Sequence, residues 1–96
     1  MGFPPEMLEE AHRHCACHRG EVSASTVCGC FSCCHTFPTK EIRNWVHETS
    51  GPFSLSPDPW TAVCPNCEID AVIGDASGFP ISDPKFLDAM HTRWLT

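Results

Sequence analysis

Apolar residues recur at three- and four-residue spacing in several stretches of the chain, and each stretch predicts a helix. Over Pro5 to about His14, Met7, Leu8 and Ala11 share one side, Pro5 suits a first turn, and Glu6, Glu9 and Glu10 suit the positive end of the helix dipole. A second helix is expected from Pro38, with Ile42, Trp45 and Val46 as its buried stripe and Gly51-Pro52 as its limit. Ile69, Val72 and Ile73 repeat the same spacing ahead of Gly74 and predict a short helix, with a strand over Ala71 to Ile73 as the rival. In the last helix Asp83 caps, Pro84 opens, and Phe86, Leu87, Met90 and Trp94 occupy one face. Between these, Cys15 to Val27 reads as a loop with room for one helical turn, Ser50 to Pro59 as a proline-rich loop, and Trp60 to Val63 as a short strand. No internal repeat is present. The expected fold is a single α+β domain, mostly helical with a short β-hairpin or strand pair. It divides into an N-terminal helix and Cys/His-rich segment (1–27) and a metal-binding part (28–96). Its core is Ile42, Trp45, Val46, Val72, Ile73, Phe86, Leu87, Met90 and Trp94.

Eight cysteines in 96 residues change the picture, because a chain this short gains noticeably from a metal or a cross-link. Cys30-Phe-Ser-Cys33 and Cys64-Pro-Asn-Cys67 form two C-x-x-C pairs. Each such turn lets two thiolates converge on one ion, and a tetrahedral zinc needs two turns. A knuckle at the first pair, a strand running into the second and a helix leaving from Cys67 predict a treble-clef-like arrangement. Disulfides or simple burial of small thiols are the competing readings. The amino terminus carries no basic segment followed by an apolar one, so reduced thiols and a cytoplasmic location are expected. Redox catalysis at Cys-Pro-Asn-Cys would need a βαβ surround that the pattern lacks. One Zn2+ is expected at Cys30, Cys33, Cys64 and Cys67. By count, Cys15, Cys17, Cys28 and His18 offer a second site, although a C-x-C spacing is less diagnostic; a solvated segment with free thiols is the preferred reading of His-Arg-His-Cys-Ala-Cys-His. Cys34 follows a proposed ligand and should point elsewhere.

Twelve acidic and six basic side chains give a formal charge of −6. An all-thiolate zinc centre would add about two more negative charges. The basic residues are scattered, so nothing offers a phosphate backbone the gain from counterion release. No apolar run approaches the roughly 20 residues of a membrane helix.

A catalytic reading finds little to work with. Gly74-Asp-Ala-Ser-Gly78 lacks the lysine of a phosphate loop and the spacing of a serine-hydrolase elbow, leaving Ser77 in a tight turn with Asp75 bonded to its own backbone. Asp70 and Asp75 are expected to face water. Four thiolates close the metal shell, whereas a hydrolytic site keeps an open position. The alternative kept is a small treble-clef metal-dependent nuclease or nucleic-acid-binding zinc protein. For it His18, His35 and His91 are candidates by residue type alone.

Cys-Gly-Cys-Phe-Ser-Cys at 28–33, Phe-Pro-Thr-Lys-Glu-Ile-Arg-Asn-Trp at 37–45, the run from Thr61 to Ile81 and Met-His-Thr-Arg-Trp-Leu at 90–95 resemble a group of small bacterial cytoplasmic proteins, zinc-ribbon or treble-clef-like, without an assigned activity. The resemblance implies a cytoplasmic zinc-holding domain. In that pattern glycine follows the last cysteine where this chain has Glu68, and an aromatic precedes the second knuckle cysteine where it has Ser32. By elimination, the expected function is non-catalytic: a zinc-binding interaction or regulatory protein whose partner is a protein with a basic surface, nucleic acid being disfavoured.

Overall fold

The computed structural model describes residues 3–48 and 57–95. Helix α1 is Pro5–His12, α2 is Arg19–Ser23 and α3 is Pro84–Leu95; the strands are β1 Val27–Cys30, β2 His35–Pro38, β3 Trp45–His47, β4 Trp60–Ala62 and β5 Val72–Gly74. Strand β1 is the centre of an antiparallel sheet ordered β2-β1-β5, and β3 pairs antiparallel with β4 in a second, two-stranded sheet. The α+β class holds, while the expectation of a mostly helical chain does not.

Two predicted helices are strands. After Pro38 the chain makes one 3-10 turn, Thr39–Glu41, and Ile42 then returns to extended geometry at φ −70° and ψ 124°. Trp45, Val46 and His47 therefore alternate: His47 packs edge-on against Trp60 at 4.6 Å, while Val46 points outward and is 43 % exposed. Aromatic and β-branched residues suit this half-buried pleat, and a run so short carries either period. Beyond Cys67 a helix is blocked at its first residue, because Glu68 is left-handed at φ 65°. The chain instead extends into β5, the rival over 71–73 shifted by one residue, and Ile69 is left 43 % exposed. The Gly51-Pro52 limit and most of the loop expected over 50–59 lie outside the described residues.

One core joins both halves of the chain. Leu8, Ala11 and Val22 from the first 27 residues pack in the same cluster as Phe31, Ile73 and Phe86. Val72, Ile73, Phe86, Leu87 and Met90 are buried as expected, whereas Ile42, Trp45 and Trp94 are only partly so. Asp83 caps α3 by accepting the Lys85 N–H at 2.9 Å. The helix lies so close to β1 that a side-chain Cβ at Gly29 would stand 3.1 Å from Leu87, so glycine is what admits it. At the far end, Trp94 Nε1 donates to the Leu8 carbonyl at 3.2 Å and its ring stacks on His12 at 3.9 Å, which fastens α3 to α1. Gly74 to Gly78 forms the predicted turn, a 3-10 turn over Asp75–Ser77 closed by Gly78 at φ 88°. Asp75 does more than the sequence suggested, since its carboxylate accepts the N–H of Thr26 from across the fold. Ser77 donates to the Gly74 carbonyl at 2.7 Å and is a turn residue.

Candidate metal centre

Two loops of the same local geometry face each other. The first is the turn of the β1–β2 hairpin, whose last pair is Cys30 opposite His35; the second connects β4 to β5. In each, the residue after the second cysteine donates its N–H back to the carbonyl of the first cysteine, Cys34 to Cys30 at 2.7 Å and Glu68 to Cys64 at 3.0 Å. Each of those residues is left-handed, Cys34 at φ 59° and Glu68 at φ 65°. Each loop also aims amides at a sulfur: Ser32 N–H at Cys30 Sγ, 3.4 Å away, and Asn66 and Cys67 N–H at Cys64 Sγ, 3.3 and 3.5 Å away. Such donors stabilise thiolate charge and fix sulfur position. The two knuckles are thus near-equivalent halves of one site, hung between strands. Neither opens a helix, which removes the structural reason for expecting a treble clef.

The sulfurs of Cys30, Cys33, Cys64 and Cys67 all lie within 4.8 Å of one another, with Cys30 to Cys67 at 3.6 Å and Cys33 to Cys64 at 3.7 Å. All eight cysteines are free thiols. Four sulfurs at about 2.3 Å from a tetrahedral ion would stand about 3.8 Å apart. The cluster therefore fits one metal ion of tetrahedral preference.

Electrostatics divides the four thiols. Burial raises Cys30 and Cys64 above the ordinary thiol range, against amide donation that lowers them. Burial also pushes Cys33 upward, but hydrogen bonding from Asn66 and His35 outweighs it and brings Cys33 down to about 6. Without an ion the surroundings thus favour the thiolate at Cys33 and the protonated thiol at Cys30 and Cys64. Capture of a divalent ion then displaces protons from those two, so affinity falls as the solution is acidified.

Left-handed Glu68 gives a direct test. A non-glycine residue there costs about 1–2 kcal/mol relative to glycine. Glu68→Gly should raise the thermal midpoint of the metal-loaded protein and slow metal transfer to a chelator, and Glu68→Val should do the opposite. Equal midpoints for all three proteins would show that the second knuckle carries no backbone strain at this residue.

The remaining sequence candidates are dispersed. Among the described residues only the four-cysteine cluster brings three or more potential ligands within reach of one ion. Cys28 contacts Thr39 Oγ1 at 3.3 Å, and Cys15 donates to the His12 carbonyl at 2.9 Å, with its pKa pushed up to about 11 by burial and then by Asp70. Cys17 anchors through its N–H, which donates to Thr61 Oγ1 at 2.9 Å. His18 is only 4 % exposed and has both ring nitrogens engaged: Nδ1–H donates to the His14 carbonyl at 2.6 Å, and Nε2 accepts the Ala62 N–H at 3.0 Å. It has no lone pair left for an ion. The 12–18 segment is thus built into the fold through Cys15 and His18, correcting the expectation of a solvated, reactive stretch. His91 donates to the Phe31 carbonyl at 3.0 Å and ties α3 to the first knuckle, while His35 sits exposed beside Cys33. His18, His35 and His91 do not form a ligand group with one another. The role of His18 was legible only in hindsight, since a lone histidine in sequence does not announce which backbone group it will serve.

No protein-family model, curated protein or solved structure matches this chain.

Proposed function

We propose that the protein binds one Zn2+ through Cys30, Cys33, Cys64 and Cys67 and uses the domain so fixed to bind another macromolecule, a protein with a basic surface, without catalysing a reaction on it. The observation that carries this is the geometry of the four sulfurs, 3.6 and 3.7 Å across two opposing pairs. Four thiolates would fill a tetrahedral shell, and a filled shell has no position for a water or substrate. Thiolate ligands favour zinc over harder divalent ions such as magnesium and calcium. The formal charge of −6, deepened by the thiolate centre, favours a basic partner. Cytoplasmic conditions, which keep thiols reduced, suit this chemistry.

The alternative is a nucleic-acid-binding zinc protein or a metal-dependent nuclease. One experiment separates them. Untagged protein is assayed for metal by elemental analysis, for thiols before and after chelation, and for duplex DNA binding and cleavage with magnesium at physiological salt. One zinc per chain, four thiols unmasked by chelation and no DNA binding or cleavage are expected. Tight DNA binding with a steep salt dependence would replace the protein partner by nucleic acid. Cleavage abolished by His35→Ala or His91→Ala would make the protein a nuclease.

A further inference from the structure

A cleft of about 230 Å3 opens on the side of the molecule behind the first knuckle. Its floor and walls are apolar, formed by Phe31, Ala71, Ile69, Leu95 and the stacked pair Trp94 and His12. Of the three large apolar side chains most exposed among the described residues, two, Ile69 at 43 % and Leu95 at 44 %, stand at this cleft. Both cost solvation in the isolated chain and would be covered together by one ligand.

The charges around the cleft are of one sign where they are uncommitted. Glu48 and Asp70 line it, and among the described residues neither pairs with a cation; Glu48 accepts a hydrogen bond from Thr61 at 3.0 Å. Arg93, next to Trp94 in the chain, lies over the Trp94 ring at 4.4 Å and is bridged to Glu9 at 3.4 Å. Burial and the charge of Arg93 lower the pKa of His12, which disfavours a positive charge on that wall. Phe31 in the floor directly follows Cys30, so the negative thiolate centre lies behind it.

We infer that this cleft is the docking surface for a basic segment of the partner protein, which seats an aliphatic or aromatic side chain between Ile69 and Leu95 and places Lys or Arg side chains on Asp70 and Glu48. The inference rests on the proposed basic protein partner and locates the contact. Apolar burial supplies affinity, and the paired carboxylates select the sign of charge flanking the anchor. A phosphate chain would meet Asp70, Glu48 and the thiolate centre as repulsion.

The test uses zinc-loaded, nitrogen-15-labelled full-length protein and short synthetic peptides: one alternating leucine with lysine, one leucine with glutamate, one serine with lysine. The leucine–lysine peptide should move the Trp94 indole and the Ile69 to Ala71 amide resonances, and Asp70→Lys should weaken it about tenfold or more, a change of about 1.4 kcal/mol. Ile69→Ser should weaken it comparably; both residues belong to the cleft wall and neither anchors the core. The leucine–glutamate peptide should bind Asp70→Lys better than it binds the parent protein. Equal binding of the serine–lysine peptide would overturn the inference by removing the apolar anchor. Binding that moves other resonances and survives Asp70→Lys would also overturn it, yet leave a basic partner standing. Absence of any shift with either lysine peptide would remove the basic-partner reading as well. Movement of the same cleft resonances by a single-stranded oligonucleotide added without peptide would assign the cleft to nucleic acid. Cleft resonances that move with no peptide present in Phe53→Ser, a substitution within residues 49–56 that lie outside the described ones, would assign the cleft to that stretch of this chain.

Discussion

Chelation of the metal under reducing conditions should unfold the protein, or leave it without a cooperative thermal transition, and Cys64→Ala should do the same. The expectation follows from where the four sulfurs sit in the topology. Cys30 ends the central strand of one sheet and Cys64 follows a strand of the other, so an ion held by the cluster would join two sheets whose strands are each only three or four residues long. Structural zinc contributes about 10–16 kcal/mol of apparent binding free energy in small zinc peptides, and a domain's whole stability is about 5–15 kcal/mol. Removal of the ion also leaves the Cys30 and Cys64 sulfurs buried without the bonds that a metal would supply. Cys34→Ser and Cys17→Ser should keep the metal, since neither sulfur belongs to the cluster. Far-UV dichroism and one-dimensional proton spectra, recorded as released metal is counted, decide the matter. A metal-free protein with undiminished spectral dispersion would show that the apolar core alone holds the fold and that the cysteine cluster is not structural.

The two halves of this centre were legible because C-x-x-C is a local motif. Its turn geometry depends on the residues inside it, and little else in the chain can undo it. The departure at Glu68 was legible too, as a position where the resembling pattern has glycine; the structure supplies the reason, a left-handed residue at φ 65°. That same residue was the missing signal for β5. The spacing of Ile69, Val72 and Ile73 matches a helix, but a left-handed residue at 68 prevents the helix from starting at the cysteine. Over 42–47 the failure has a different source. Trp45 pairs with Ala62 and His47 with Trp60, so the strand is stabilised by a partner more than ten residues away, which no local period records. The last helix was read correctly because its determinants are local: a capping aspartate, a first-turn proline and an apolar face.

His18 was beyond reach in sequence for the opposite reason: its role consists of long-range bonds alone. Its backbone N–H donates to the Trp60 carbonyl at 2.9 Å, and its Nε2 accepts the Ala62 N–H at 3.0 Å. Backbone and ring together mimic a strand on the free edge of β4, satisfying two polar groups that would otherwise be buried or open to another chain. His18→Ala should therefore cost about 3 kcal/mol, combining an unsatisfied buried N–H with the void left by the ring. His18→Gln should recover part of it, because its amide oxygen can accept the same N–H. The pH dependence has a definite sign. Burial lowers the pKa of His18 in the fold, and the hydrogen bond to the His14 carbonyl only partly offsets it. The unfolded chain thus binds a proton near pH 6.5 that the fold refuses, so the contribution of His18 is complete above pH 6.5 and is lost as pH falls below it. Urea unfolding of the zinc-loaded protein at pH 7.5 and pH 6.0, with metal content checked at each, should show a steeper loss of stability on acidification in the parent protein than in His18→Gln. Since the thiolates and the other histidines are common to both proteins, their titration cancels in the difference. Parallel losses would mean that the His18 ring protonates as readily in the fold as outside it, and that the bond from the Ala62 N–H to its Nε2 does not hold the neutral form in place.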